Sequence, residues 1–180
     1  MSKGEAKELA KEYVASRQNE LFHADLEKRS KVGKTLFNMK DWVDADRRSV
    51  PEYLLRACPI RFRAGRRLKV KFRMGCHPLQ GSAARLNRKS NPACRCCDSG
   101  DAESIRHAMF ECSAHAEIRR VFCDRVEERC PGFAEMDVDD KLRFLMADDT
   151  PAALDGLLYQ FLIDVYKSRL GILAAREKGS

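Results

Sequence analysis

Between residues 94 and 112 the chain reads Cys94-x2-Cys97, nine residues, then His107-x4-Cys112. This spacing constrains the fold more than any other feature. A Cys-x2-Cys turn presents two thiolates to one ion at about 2.3 Å each, which suits Zn²⁺. The second pair carries a geometric demand. Five residues advance about 140° around a continuous α-helix, so His107 and Cys112 cannot both face one metal from such a helix. The spacing therefore predicts His107 on a short helix and Cys112 just past its end, before Ser113. Three thiolates and one imidazole close a tetrahedral shell and leave no position for substrate or water, so the expected zinc is structural. Cys96 and His115 stand close enough in sequence to be alternative ligands. Cys58, Cys123 and Cys130 lack any such pattern and read as core or surface thiols, while Cys76-His77 is a weaker candidate for a second metal.

Eight cysteines in 180 residues also raise the question of a secreted disulfide scaffold. The N-terminus, MSKGEAKELAKEY, is charged and helix-forming and lacks an apolar signal core, which points to an intracellular, nuclear or cytoplasmic protein. No apolar run approaches the roughly 18 residues of a membrane helix. Hydrophobic residues are 44% and charged residues 34%, enough for a packed core.

Charge is distributed unevenly. Residues 53–97 carry 12 Lys/Arg and no Asp or Glu, whereas residues 98–180 carry 11 Lys/Arg against 17 acids. An acid-free basic block points to phosphates or another anionic partner. Its candidate contacts are Arg61, Arg63, Arg66, Arg67, Lys69, Lys71, Arg73, Arg85, Arg88 and Lys89. A basic helix is expected over 65–74, where 66, 69, 70 and 73 share one face, with Phe62 and Phe72 either stacking on a ligand or, the favoured reading, anchoring in the core.

Helical periodicity runs through most of the chain and no strand alternates convincingly. The class is therefore mainly α: a small helical domain built around a CCHC zinc knuckle and closed by a C-terminal amphipathic helix. A helical arm is expected over 1–52 and the basic helix, knuckle and C-terminal helices over 53–180, unless the two run on as one domain. A second helix is expected over 82–87, a turn over 98–101, and a short helix over 103–111. Ser113 is placed as the cap of a further helix with Ile118, Val121, Phe122 and Val126 on its apolar side. Residues 137–140 read as a solvated acidic turn and 141–146 as an apolar turn. Thr150 and Pro151 open the last helix, with Leu154, Leu157, Leu158, Phe161, Leu162, Val165 and Leu170 as its buried stripe. Met146-Ala147-Asp148-Asp149 has the paired aspartates of a polymerase palm without the strands that would carry them. With no nucleophile–base set, phosphate loop or open metal position, no catalytic site is expected.

The stretch RRLKVKFRMGCHPLQGSAARLNR, followed by NPACRCCDSGDAESIRHAMFECSAHAEIRR, resembles the zinc-binding C-terminal region of non-LTR (LINE-type) retrotransposon reverse transcriptases. Arg73, Gly75, His77, Pro78, Leu79, Arg85, Glu103, His107, Cys112 and Arg119 fall in the family's order, and KLRFLMADDTPAALDGLLYQFLIDVYKSR resembles its closing segment. Cys76 is inserted between Gly75 and His77, Ser113 replaces the usual Pro, and nothing upstream resembles the polymerase. The resemblance implies an accessory domain that handles RNA or DNA without its enzyme, as an excised domain, a relic or a piece taken over by the host. A module that binds an acidic protein partner is the alternative expectation.

Overall fold

The computed structural model describes residues 52–73, 77–87, 90–147 and 150–178. They belong to one compact unit, Val50–Ser180, and among them the structure is helical with no strand; the one β-bridge pairs Ala93 with Ala102. The arm expected over 1–52 lies, apart from Glu52, outside the described residues, as do Met74, Cys76, Arg88 and Lys89.

Among the described residues there are six α-helices: α1 Glu52–Leu55, α2 Arg63–Arg73, α3 Gln80–Leu86, α4 Ala116–Glu127, α5 Val138–Met146 and α6 Ala152–Lys178. The long helix α6 is the axis of the unit, and both α2 and α4 pack on it. It buries Leu154, Leu158, Phe161, Leu162 and Val165, as the apolar spacing requires, and adds Tyr159, Ile163 and Arg169. Leu170 is 47% exposed. One helical position earlier, Arg169 points inward instead, for a reason given by the metal centre below.

The α2–α6 crossing depends on Gly65. A Cβ there would lie 2.2 Å from the Tyr159 carbonyl oxygen and 2.5 Å from its Cα. Only a residue without a side chain lets the two backbones approach this closely. Leu68 and Phe72 follow Gly65 on the same face and are buried with it. On the other side of α6, Phe122 of α4 stacks on Phe161 at 4.1 Å and 7°.

Three local expectations change. The segment expected as turns over 137–146 is the helix α5: Asp137 caps it, its carboxylate accepting from the Asp140 amide at 2.7 Å. Ser113 does not cap α4. It begins a 3₁₀ turn, Ser113–His115, and α4 starts at Ala116. The Thr150 hydroxyl turns back to the end of α5, 2.8 Å from the Ala147 carbonyl, while its own carbonyl accepts from Arg56 Nη1 at 2.8 Å. Arg56 also pairs with Asp155 at 3.1 Å and Glu52 at 3.0 Å, fastening α1 to the start of α6.

Candidate metal centre

A small closed loop carries the first two ligands. The Cys94 amide donates to the Asp101 carbonyl at 2.7 Å and the Glu103 amide to the Pro92 carbonyl at 2.8 Å, clamping the two ends. Gly100 turns the loop with φ +78°, a left-handed conformation that disfavours a side chain. The Cys96 amide then donates to Cys94 Sγ at 3.4 Å, and Ser99 Oγ lies 3.3 Å from Cys97 Sγ. Both contacts suit sulfurs that carry negative charge.

The second pair solves the spacing problem in an unusual way. His107–Glu111 is a π-helical turn, and Cys112 lies in extended backbone just beyond it, its amide donating to the His107 carbonyl at 2.7 Å. An i→i+5 bond brings residue i+5 back over residue i, where an α-helical turn would carry it past. His107 is thus on a short helix and Cys112 past its end, as the spacing demands. Arg119 of α4 donates to the Cys112 carbonyl at 3.0 Å and holds the turn from behind.

One ligand atom from each of Cys94, Cys97, His107 and Cys112 lies within 4.8 Å of the others, and all four residues are buried. Cys94 Sγ and Cys112 Sγ are 4.0 Å apart; Cys97 Sγ and His107 Nε2 are 3.3 Å apart. A tetrahedral shell with sulfur at about 2.3 Å from a metal has edges of about 3.8 Å, so the cluster can hold a metal ion with small adjustments. The other His107 nitrogen, Nδ1, is buried without a hydrogen-bond partner, and carboxylate oxygens of Asp101 and Glu111 stand 4.0 Å away, near enough to orient a bound imidazole only after a small shift. Burial pushes the Cys112 thiol up to about 12, reinforced by the neighbouring Cys94. Burial acts on Cys97 in the same direction, but Ser99 and His107 outweigh it and hold that thiol at about 6. Without a cation, the Cys112 thiolate is costly in this interior.

Of the alternative ligands, Cys96 is not among the four clustered residues; its Sγ lies 4.0 Å from Glu103 Oε1, and it groups with Cys94 and Glu103. An ion there would have to displace Arg169, which forks onto Glu103 at 2.7 and 3.0 Å. Glu103 also accepts from the Gln80 amide at 2.7 Å, so a single buried carboxylate joins the knuckle, the start of α3 and the far half of α6. This hub is what draws Arg169 inward. His115 is buried but outside the ligand cluster. Ile172 of α6 packs on the cysteines, and Arg176 pairs with Asp98 at 3.1 Å, so the C-terminal helix closes the centre. In the sequence Glu103 and Arg119 are marked only by resemblance; nothing in their spacing announces the carboxylate hub or the carbonyl contact.

The basic block divides along the helical repeat of α2. Arg61, Arg63, Arg67 and Lys71 are exposed and Arg66 is half-buried, its guanidinium held by the Arg56 carbonyl at 3.0 Å. Lys69 and Arg73 are inside. Lys69 is 0% exposed, donates to Thr150 Oγ1 at 3.0 Å and sits 4.5 Å from the Tyr53 ring centroid; the Arg73 guanidinium lies 5.2 Å from the same ring. The expected phosphate-binding face over 66, 69, 70 and 73 is therefore corrected. Residues 65, 68, 69 and 72 form the stripe facing α6, and position 73 adjoins it. Phe62 and Phe72 are anchors as expected, Phe62 meeting Gly156 and Phe72 being fully interior. Arg85 lies on α3. No family model, curated protein or solved structure matches the chain.

Proposed function

We propose that this chain is a zinc-stabilised nucleic-acid-binding module without polymerase activity, akin to the accessory C-terminal region of non-LTR retrotransposon reverse transcriptases. The observation that carries the binding half is the row Arg63, Arg67 and Lys71. These cations, four residues apart on one exposed face of α2, have no hydrogen-bond or ion-pair partner among the described residues. Phosphate contacts of this kind give affinity without much sequence preference. Zinc is the metal that three thiolates and one imidazole in a closed shell favour, and its role here is architectural.

Two measurements test the proposal. Metal analysis of the purified protein should find one zinc per chain. Binding to single-stranded RNA should weaken linearly with log salt, and Arg63→Ala, Arg67→Ala and Lys71→Ala together should reduce the slope by roughly two to three, at about 0.7–0.9 per lost phosphate contact. Unchanged affinity and slope would remove the surface from consideration. A protein-interaction module is favoured by one feature, the exposure of Leu55 at 70% and Ile60 at 79% beside the basic helix. It predicts no affinity for RNA or DNA at low salt.

A further inference from the structure

Beside the exposed row of α2 runs a groove of about 480 Å³ lined by Leu54, Arg63, Arg66, Arg67, Val70 and Lys71. Four of the six are cations, none is acidic, and Leu54 and Val70 supply an apolar floor. Arg66 is pre-positioned: its Nη1 donates to the Arg56 carbonyl at 3.0 Å and the Leu54 carbonyl at 3.4 Å, fixing the guanidinium plane at the groove wall. A contact made only to phosphates has no use for an apolar floor. A duplex turns its phosphates outward and keeps its bases stacked inside, so it would leave Leu54 and Val70 against water. An unpaired strand offers both chemistries at once: phosphates for the rim and flat apolar base faces for the floor and for Arg66.

We infer that this groove takes single-stranded nucleic acid, with the backbone on Arg63, Arg67 and Lys71 and bases laid over Leu54 and Val70 beside Arg66. The inference rests on the nucleic-acid reading above and narrows it to unpaired strands recognised through their bases.

Binding of the full chain to three labelled probes of equal length tests it: an oligouridylate, an abasic strand and an RNA duplex. The oligouridylate should bind a few-fold tighter than either competitor, since apolar contact with Leu54 and Val70 and stacking on the Arg66 guanidinium add to the phosphate contacts only where unpaired bases are present. Leu54→Ser with Val70→Ser should erase that preference while keeping the salt slope, because no cation is lost; a thermal melt of the variant checks its fold. Should that pair unfold, the abasic-versus-uridylate ratio on the unaltered protein still decides. Equal affinity for the abasic strand, or preference for the duplex, overturns the inference; if binding then still depends on Arg63, Arg67 and Lys71, the broader nucleic-acid reading stands. No binding to any of the three defeats both. Capture of an acidic peptide of alternating Glu and Leu, with no oligonucleotide competing for the groove, also overturns it in favour of a protein ligand.

Discussion

The knuckle and the basic helix use charge in opposite ways. Around Cys94, Cys97, His107 and Cys112, four metal-ligating groups converge on one point in the interior, where they suit a bound cation. Along α2, like charges are spread over a cylinder, and the packing of one face on α6 decides which of them meet solvent. Ligand spacing is therefore informative because all ligands must converge. A run of cations is informative only about the whole block, since each helical turn sends neighbours to different surroundings.

The largest effect tests the first half of that comparison. Chelation, or Cys97→Ser or His107→Ala, should release the metal and unfold the knuckle with loss of helicity, because metal binding in such sites is worth about as much as the whole stability of a domain. Cys123→Ala, by contrast, should leave metal content intact. A metal-free protein of unchanged circular dichroism would break the idea of a metal-organised centre.

Next in size is the hub that ties the knuckle to α6. Arg169→Ala leaves the Glu103 carboxylate buried and uncompensated, and should lower the free energy of unfolding by about 3–5 kcal/mol in a denaturant titration. A loss below about 1 kcal/mol, the range of an exposed pair, would show that the pair is solvated in solution.

The second half of the comparison is sharpened by two lysines two positions apart. Lys69→Ala should cost about 2–4 kcal/mol through lost packing and the Thr150 contact, with little direct effect on RNA affinity. Lys71→Ala should change stability by less than about 0.5 kcal/mol and act on binding alone. If the two variants are equally stable, the division of the basic block into inner and outer rows is wrong.

The smallest difference concerns caps. Asp137→Ala should cost about 1 kcal/mol, because its carboxylate satisfies the first turn of α5. Ser113→Ala should be near neutral, since no cap bond from its side chain begins α4. Thermal melts of the two single variants distinguish them, and a reversed order would restore Ser113 as the cap.

These pairs also mark how much was legible in advance. The ligand set, the break between His107 and Cys112, the helical class and most of the α6 stripe follow from spacing and periodicity, which are local properties. The helix over 138–146 was missed because three aspartates at 137, 139 and 140 read as a solvated turn; one caps the helix, and another, Asp139, pairs with Arg106 at 2.8 Å. Thr150 has the composition of an N-cap, yet its hydroxyl is claimed by α5 because that helix ends only four residues earlier.

What the sequence determines by itself is a convergent Cys/His set that can hold a metal ion and a basic segment of helical period, since both are written in residue type and interval. Which cations face water was decided only when Gly65 let α2 settle against Tyr159, burying Lys69 under Tyr53 and leaving Arg63, Arg67 and Lys71 outside. The inward turn of Arg169 was likewise decided by a carboxylate 66 residues away. Side-chain type sets the available chemistry, but burial and partners arise from contacts between segments distant in sequence, and no local interval encodes them.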